Sequence, residues 1–327
     1  MDNTLLFISV IIGNICITAL IEKILIPYLR RRAKQPIYEG GPSWHMSKSG
    51  TPTMGGIAFL ISSLITLAAI SCYFIGVKRD LITGTAIILP MLYAAANALV
   101  GIADDLTKLR KKKNAGLSPA EKLILQFLIA IIFLLVRAHL FDDNGVIYLS
   151  FTEIDLGIFY YPLSIILLLG IINCANLTDG IDGLASSTSL TIGLVFLIYA
   201  TVKAIGEAAI LSAVLIGLSA GFLIFNRHPA KIFMGDTGSL FLGAFIIAIG
   251  YCTKNPFSVI LIGGVYVIEG VSVILQVICY KLTKKRIFKM APIHHHLEKC
   301  GLSENKICII AVATTLFLSI ISFIVFR

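Results

Sequence analysis

Groups that handle phosphate and divalent cations recur at five places in this chain, each beside a long apolar run. Asp104-Asp105-Leu106-Thr107-Lys108 closes one such run. Asn97, Gly101, Asp104 and Lys108 share one helical face by their three- and four-residue spacing. Carboxylates at a helix C-terminus are disfavoured by the dipole, so this pair needs counter-ions. Lys108 and Lys122 serve in the structural reading; a divalent cation or a metal-bound phosphate serves in the functional one. Adjacent carboxylates at a membrane boundary are costly, which favours function. In Asn173-Cys174-Ala175-Asn176-Leu177-Thr178-Asp179-Gly180-Ile181-Asp182-Gly183, a polar residue returns every third position. A helical turn would line Asn173, Asn176, Asp179 and Asp182 along one side, and Gly180 and Gly183 permit a tight turn or a close ligand. The likeness to a calcium loop is superficial, because the terminal bidentate Glu is missing.

Asp236 lies between Gly235 and Gly238 at the start of another apolar run, after Asn226 and Phe233. The helix dipole alone would stabilise it there, but it also suits a magnesium ion that keeps several waters and bridges to phosphate. Phe233 offers a face on which a base can stack. The stretch His45-Met46-Ser47-Lys48-Ser49-Gly50-Thr51-Pro52-Thr53-Met54-Gly55-Gly56 reads as a loop. Thr51 or Thr53 is placed to cap the helix that follows, and Lys48 with that helix N-terminus suits a phosphate or sugar. His294-His295-His296 is an internal run on an expected irregular loop. Successive helical residues point about 100° apart, so the three cannot share one metal from a regular helix. They suit phosphate or sugar contacts and acid–base work, with Glu298 near enough in sequence to orient one of them. Glu269 and Gln276 stand apart within a span that also carries Gly263, Gly264 and Gly270. Two readings stay open there: hydrogen bonding between buried helices, or a kinked span beside a groove open to lipid.

The elements that must position these groups are membrane helices. Of 327 residues, 57% are hydrophobic and 14% charged, and the mean hydropathy is +0.92. Soluble domains carry about 25% charged residues. Runs of about 20 apolar residues mark spans, and about ten are present: Leu5–Pro27, Gly55–Val77, Leu81–Ile102, Lys122–Phe141, Tyr160–Ala175, Ser189–Lys203, Ala208–Asn226, Gly238–Tyr251, Pro256–Tyr280 and Ile307–Phe326. The expectation is an all-α, polytopic integral membrane protein forming a single catalytic domain over residues 1–327. The N-terminus lacks a basic n-region and a cleavage site, so it reads as the first span. The net charge of +9 is unevenly spread. Arg30, Arg31, Arg32, Lys34, Lys48, Lys108, Arg110, Lys111, Lys112, Lys113, Arg227, Lys231, Lys281, Lys284, Lys285, Arg286, Lys289 and Lys299 all follow odd-numbered spans. Lys- and Arg-rich short loops stay cytoplasmic, which puts both termini outside and all five clusters on the cytoplasmic face. These lysines also suit anionic lipid headgroups. The seven cysteines form no CxxC pair, so neither a disulfide framework nor a zinc site is indicated.

Taken in order, the clusters resemble the polyprenyl-phosphate phosphosugar transferases of the membrane, and most closely their phospho-N-acetylmuramoyl-pentapeptide transferase branch. The motifs that carry the resemblance are HxxKxGTPTMGG at His45–Gly56, DDxxK at Asp104–Lys108, NxxNLTDGxDGLA at Asn173–Ala185, FNxxPAxxFMGDxGS at Phe225–Ser239 and APxHHHxE at Ala291–Glu298. Cys174 and Ile181 are conservative variants, and the residues after Glu298 lack an aromatic often found there. The resemblance implies transfer of phospho-N-acetylmuramoyl-pentapeptide from its UDP-activated form to undecaprenyl phosphate in the bacterial plasma membrane. The products would be lipid I and UMP, with Mg2+ as cofactor. It further implies that Asp236 binds the metal with Asp105 close by, that Asp104 deprotonates or orients the lipid phosphate, and that His295 joins them as a catalytic group. Lys48, Lys122 and the histidines His294 to His296 would hold phosphates or the muramoyl end, and Thr51, Lys108, Asn173 and Gln276 would also bind substrate. Asn176, Asp179, Gly180, Asp182, Asn226 and Phe233 would form the nucleoside and pyrophosphate pocket. The expected partners are UDP-MurNAc-pentapeptide, undecaprenyl phosphate and membrane lipids, with no nucleic acid; the sequence is compatible with a homodimer and does not require one. Two competitors are a related transferase of N-acetylglucosamine-1-phosphate and a secondary transporter. The TPTMGG and His-His-His-x-Glu runs speak against the first. A transporter would show polar groups near the midplane and an internal repeat, whereas most polar groups here lie at one boundary.

Overall fold

A computed structural model of the chain describes residues 3–33, 48, 50–111, 116–141 and 145–326. His45, Met46, Ser47 and Ser49 of the first cluster lie outside them, as do Lys34, Lys112 and Lys113. The described residues form twelve α-helices, ten of them long and apolar enough to cross a membrane. These ten are α1 (Asn3–Arg32), α2 (Gly56–Cys72), α3 (Leu81–Lys111), α4 (Pro119–Leu140), α5 (Tyr160–Thr178), α6 (Leu184–Val202), α7 (Gly206–Asn226), α8 (Gly235–Cys252), α10 (Gly264–Thr283) and α12 (Glu304–Val325). Two are short, α9 (Val259–Ile262) and α11 (Ile293–Lys299).

With lipid on the outside, the driving force for burial differs from that of a soluble protein, and helices meet through small residues and polar contacts. α8 takes the centre, packed on α2, α3, α5 and α7, and nearly every residue beyond its first turn is buried. α1 packs on α7 where Gly217 and Gly221 present bare backbone to Asn14 and Thr18. Between α1 and α2, Asn14 Oδ1 accepts from Ser62 (3.0 Å) and Thr66 (3.2 Å), and Thr18 donates to Ser62 (3.0 Å). One turn further along α1, Glu22 is fully buried and neither of its oxygens has a hydrogen-bond partner among the described residues.

Two departures from the sequence reading are local. The expected ninth span is broken. A 3-10 turn at Pro256–Ser258 leads into α9, and the chain bends at Gly263 before α10 begins. The second departure is a small antiparallel hairpin, β1 (Val146–Tyr148) with β2 (Glu153–Asp155). It lies at the end of the bundle away from the polar clusters, held by Asn255 to the Tyr148 carbonyl (2.6 Å) and by the Ser150 N–H to Val325 (2.8 Å). Strands of three residues are too short for an alternating pattern to stand out.

Candidate active site

The three-carboxylate cluster is built by joining opposite helix ends. Asp104 and Asp105 sit near the C-terminal end of α3, where the dipole disfavours them, and the N-terminus of α8 meets them. Asp105 is the cap that α8 does not supply from its own sequence. Its carboxylate accepts from the Asp236 N–H (3.2 Å), the Thr237 N–H (3.0 Å) and the Thr237 hydroxyl (2.7 Å). Orphan N–H groups at a helix start need such acceptors. Gly101 permits this approach, because a Cβ there would strike the backbone of Asp236 and Thr237.

Asp104 and Asp236 are held mainly by lysines. Lys108, one turn beyond Asp104 on α3, lies 2.6 Å from Asp104 Oδ2, close but not aligned as a hydrogen bond, and 3.0 Å from Asp236 Oδ1. Lys122 pairs with the other Asp236 oxygen and lies 3.5 Å from Asp104 Oδ1. Its place is set by the start of α4, where Ser118 and Glu121 cap each other's backbone N–H beside Pro119. Asp104 also accepts from the Leu117 N–H (2.8 Å) and is 1% exposed, whereas Asp236 is half-buried. Oxygens of Asp104, Asp105 and Asp236 lie within 4.8 Å of one another.

A second cluster joins four segments. Asp182, in the turn between α5 and α6, accepts from Lys48 (2.7 Å), from the Ala230 N–H (3.0 Å) and from His228 Nδ1 (2.9 Å). Glu304, the first residue of α12, takes Lys48 (2.8 Å) and the Asp182 N–H (2.7 Å) on one oxygen. Its other oxygen lies 3.5 Å from His228. Burial alone would lower the pKa of Lys48, but its hydrogen bonds and charge pairing with Asp182 and Glu304 outweigh that and raise it.

Asp179 stands between the clusters. It retains some contact with solvent yet sits in a confined position, and its carboxylate has no hydrogen-bond partner among the described residues. Desolvation, reinforced by the charges of Asp236, Asp105 and Asp182, pushes its pKa up to about 8. Beside it, bare Gly180 admits the ring of fully buried His294. His294 Nδ1 lies 3.0 Å from Glu269 of α10, and its Nε2, on the Gly180 side, is buried without a hydrogen-bond partner among the described residues.

The sequence-predicted residues divide in three. Asp104, Asp236, Lys108, Lys122, Asp179, Asp182 and Lys48 do gather at one end of the bundle. Asn176, bonded to Ser239 (2.8 Å), and half-buried Phe233 and Thr51 line the same end. Others turn inward. Asn173 spends its amide on Gln126 and Leu169 (2.8 Å each) in the α4–α5 contact. Asn226, 2% exposed, accepts from the Gly183 N–H and Ser186 and donates to the Ile232 carbonyl. Gln276 clasps the backbone of Ile287 and Phe288. The amides of these three are engaged within the protein, as that of Asn176 is by Ser239.

Two further expectations change. No threonine side chain caps α2; the N–H groups of Gly55 and Gly56 donate to the Phe233 and Met234 carbonyls (2.9 Å each), tying the α2 start to the loop before α8. The histidine run is not an irregular loop but part of helix α11, begun after Pro292. Its rings consequently diverge: His294 goes to Glu269, His295 to Glu298 (2.7 Å), and His296 accepts from the Lys289 N–H (3.1 Å). Glu304, His228 and the Glu269–His294 pairing were not marked as site features by the sequence. A carboxylate in the first turn of a helix reads as ordinary dipole matching, so Glu304 carried no signal of its own.

Known proteins resemble this chain over nearly its whole length. The profile of glycosyl transferase family 4 matches residues 87–253. A phospho-N-acetylmuramoyl-pentapeptide-transferase signature matches residues 48–60, from Lys48 into α2. The chain is 42% identical over 323 residues to the phospho-N-acetylmuramoyl-pentapeptide-transferase of Bacillus velezensis, covering 98% of this chain and 97% of the relative. The Bacillus subtilis protein of the same name is 41% identical over 324 residues, with the same coverage of both chains. That of Clostridioides difficile is 37% identical over 312 residues, 94% of each chain.

Proposed function

The chain belongs to the phospho-N-acetylmuramoyl-pentapeptide-transferases of glycosyl transferase family 4, and from that premise we propose how it works as a multi-pass enzyme of the bacterial plasma membrane. It transfers phospho-N-acetylmuramoyl-pentapeptide from UDP to undecaprenyl phosphate, releasing UMP and forming lipid I for peptidoglycan. The observation that carries the mechanism is the meeting of Asp104 and Asp236 with Lys108 and Lys122 at one end of the bundle. One substrate is a soluble polyanion and the other a phosphate on a chain confined to the bilayer, so a charged site at a membrane boundary is where they can meet. The excess of Lys and Arg in the loops at this end supports a cytoplasmic orientation.

Phosphoryl transfer needs chiefly positioning and charge neutralisation. An oxygen of the lipid phosphate attacks the phosphorus attached to the muramoyl sugar, the pyrophosphate bond breaks, and UMP departs. Lys108 and Lys122 offer positive charge to the phosphates, and Asp104 orients the attacking phosphate. Carboxylates held by lysines are weak nucleophiles, which favours direct attack by the lipid over an aspartyl-phosphate intermediate. A phosphoenzyme trapped with nucleotide sugar alone would overturn that choice. The oxygen donors fit Mg2+: Asp236 would hold it with Asp104, while Asp105 is committed to capping α8. When bound, the ion neutralises pyrophosphate charge. Phe233, whose ring has no aromatic partner among the described residues, stacks on the uracil, and Asp179 and Asn176 line the nucleotide path.

Purified protein should convert UDP-MurNAc-pentapeptide and undecaprenyl phosphate to lipid I and UMP one for one, lose activity in EDTA and regain it with Mg2+. Preferential use of UDP-N-acetylglucosamine would instead assign it to the sister activity. Phe233→Ala should raise KM for the uridine substrate about tenfold, within the ~1–3 kcal/mol of a base–aromatic stack; an unchanged KM excludes stacking.

A further inference from the structure

We propose that Glu304 is a positioning residue for nucleotide-sugar binding: it holds the Lys48 ammonium and the Asp179–Gly183 turn in register with each other. The inference rests on the functional reading above and deepens it. Glu304 stands at the start of α12, outside the five motifs but shortly after the one that ends at Glu298, and one of its oxygens accepts from both Lys48 (2.8 Å) and the Asp182 N–H (2.7 Å). Asp182 in turn takes Lys48 on one oxygen and His228 with the Ala230 N–H on the other. Four separate segments are thereby fixed through two carboxylates. The Cys308 thiol, one turn along α12, also lies 3.4 Å from the Asp182 carbonyl, so α12 holds this turn at two points.

Donor counting gives the arrangement a function beyond stability. An ammonium has three N–H donors, and Lys48 gives one to Asp182 and one to Glu304. Among the described residues nothing accepts the third, which is left for a phosphate or carbonyl oxygen of the nucleotide sugar, in a direction set by the other two. Both carboxylates keep the group charged. Without Glu304, Lys48 pivots about Asp182 alone and the Asp182 N–H loses its acceptor, so the turn that carries Asp179 and Gly180 is no longer held. The Asp104–Asp236 junction shares none of these bonds. Loss of Glu304 should therefore weaken nucleotide binding and spare the transfer step.

Steady-state kinetics on the full chain in detergent, varying each substrate in turn, tests this. Glu304→Ala should raise KM for the nucleotide sugar at least tenfold, change kcat less than threefold and leave KM for undecaprenyl phosphate unchanged. Glu304→Gln keeps an acceptor oxygen and should recover KM to within about threefold of wild type; it also carries the test if the alanine variant does not fold. A fall in kcat with nucleotide KM unchanged, or equal rises in both KM values, overturns the proposal. A second readout needs no turnover. Acylation of Lys48 by an N-hydroxysuccinimide ester, mapped by mass spectrometry against exposed Lys254 at the opposite end, should quicken at least threefold in Glu304→Ala. Unchanged Lys48 reactivity overturns the positioning role. If wild type turned over neither substrate, the functional reading would fail while the labelling still decided whether Glu304 restrains Lys48.

Discussion

The two acidic clusters are made of the same materials and differ in how their oxygens are spent. Asp182 and Glu304 are engaged by backbone N–H groups as well as by Lys48 and His228, and they lock loops together. Among the described residues, Asp236 receives only lysine side chains on its carboxylate, and Asp104 adds a single backbone donor, Leu117. Side-chain cations can shift to share a carboxylate with an incoming ion or phosphate; backbone donors in a packed helix end cannot. Both clusters bring three candidate ligand groups within 4.8 Å, so proximity does not separate them. Donor identity does, and by that criterion Asp105 belongs with the clamp although it neighbours Asp104.

The largest effect expected from this contrast is on turnover. Asp236→Asn and Asp104→Asn should each lower lipid I formation by about 10²–10³-fold or more, the loss typical of removing one preorganised electrostatic group, while the detergent melting temperature stays near wild type. Near-normal turnover in either variant would remove that residue from the chemistry. Asp105→Ala should act first on folding. It leaves the Asp236 and Thr237 donors at a buried helix start without an acceptor, at about 1–3 kcal/mol for each unsatisfied group. A clear drop in denaturation midpoint is the expected outcome. Wild-type stability with lost activity would instead return Asp105 to the reacting set.

How much of this was legible in the sequence follows from the same distinction. Ten spans were visible because hydropathy is a local property, and the bend at Gly263 fell where three glycines interrupt an apolar helix. Residue types that crowd at one membrane boundary announced the site. What each does there was hidden, because it depends on partners far away in the chain: Asp105 is read by Thr237, Asn226 by Gly183, and Asp182 by Glu304. An asparagine facing a ligand and one bracing two loops look alike until the contacts are known. The internal bonds of Gln276 and Asn173 were hidden for that reason, and α11 because seven residues after a proline look like a turn.

Asp179 sharpens the comparison from between the clusters. Its folded pKa of about 8 lies above the ordinary 3.8, so the folded protein holds this proton more tightly than the unfolded chain. Below the ordinary value both states are protonated and there is no penalty. As pH rises from about 4 to about 8, the unfolded chain loses the proton first and the stability contribution falls, levelling off above that window. Partial exposure of Asp179 moderates the size of the effect. The melting temperature of wild type should therefore decline across this range relative to Asp179→Asn. Parallel curves would mean that the carboxylate does not feel the charges on either side.

Glu22 offers the limiting case of a carboxyl with no hydrogen-bond partner among the described residues. Burying an uncompensated polar group costs stability, so no contact is lost when Glu22 is replaced, in contrast to Asp105 or Glu304. Glu22→Gln should change the melting temperature and turnover little, and Glu22→Leu should leave stability equal or slightly higher, as replacing buried charged groups by apolar ones often does. A marked loss in Glu22→Leu would show that this carboxyl supports the α1–α7 packing by something other than a hydrogen bond. Donor identity would then no longer be enough to sort the buried acids of this fold into chemistry and scaffold.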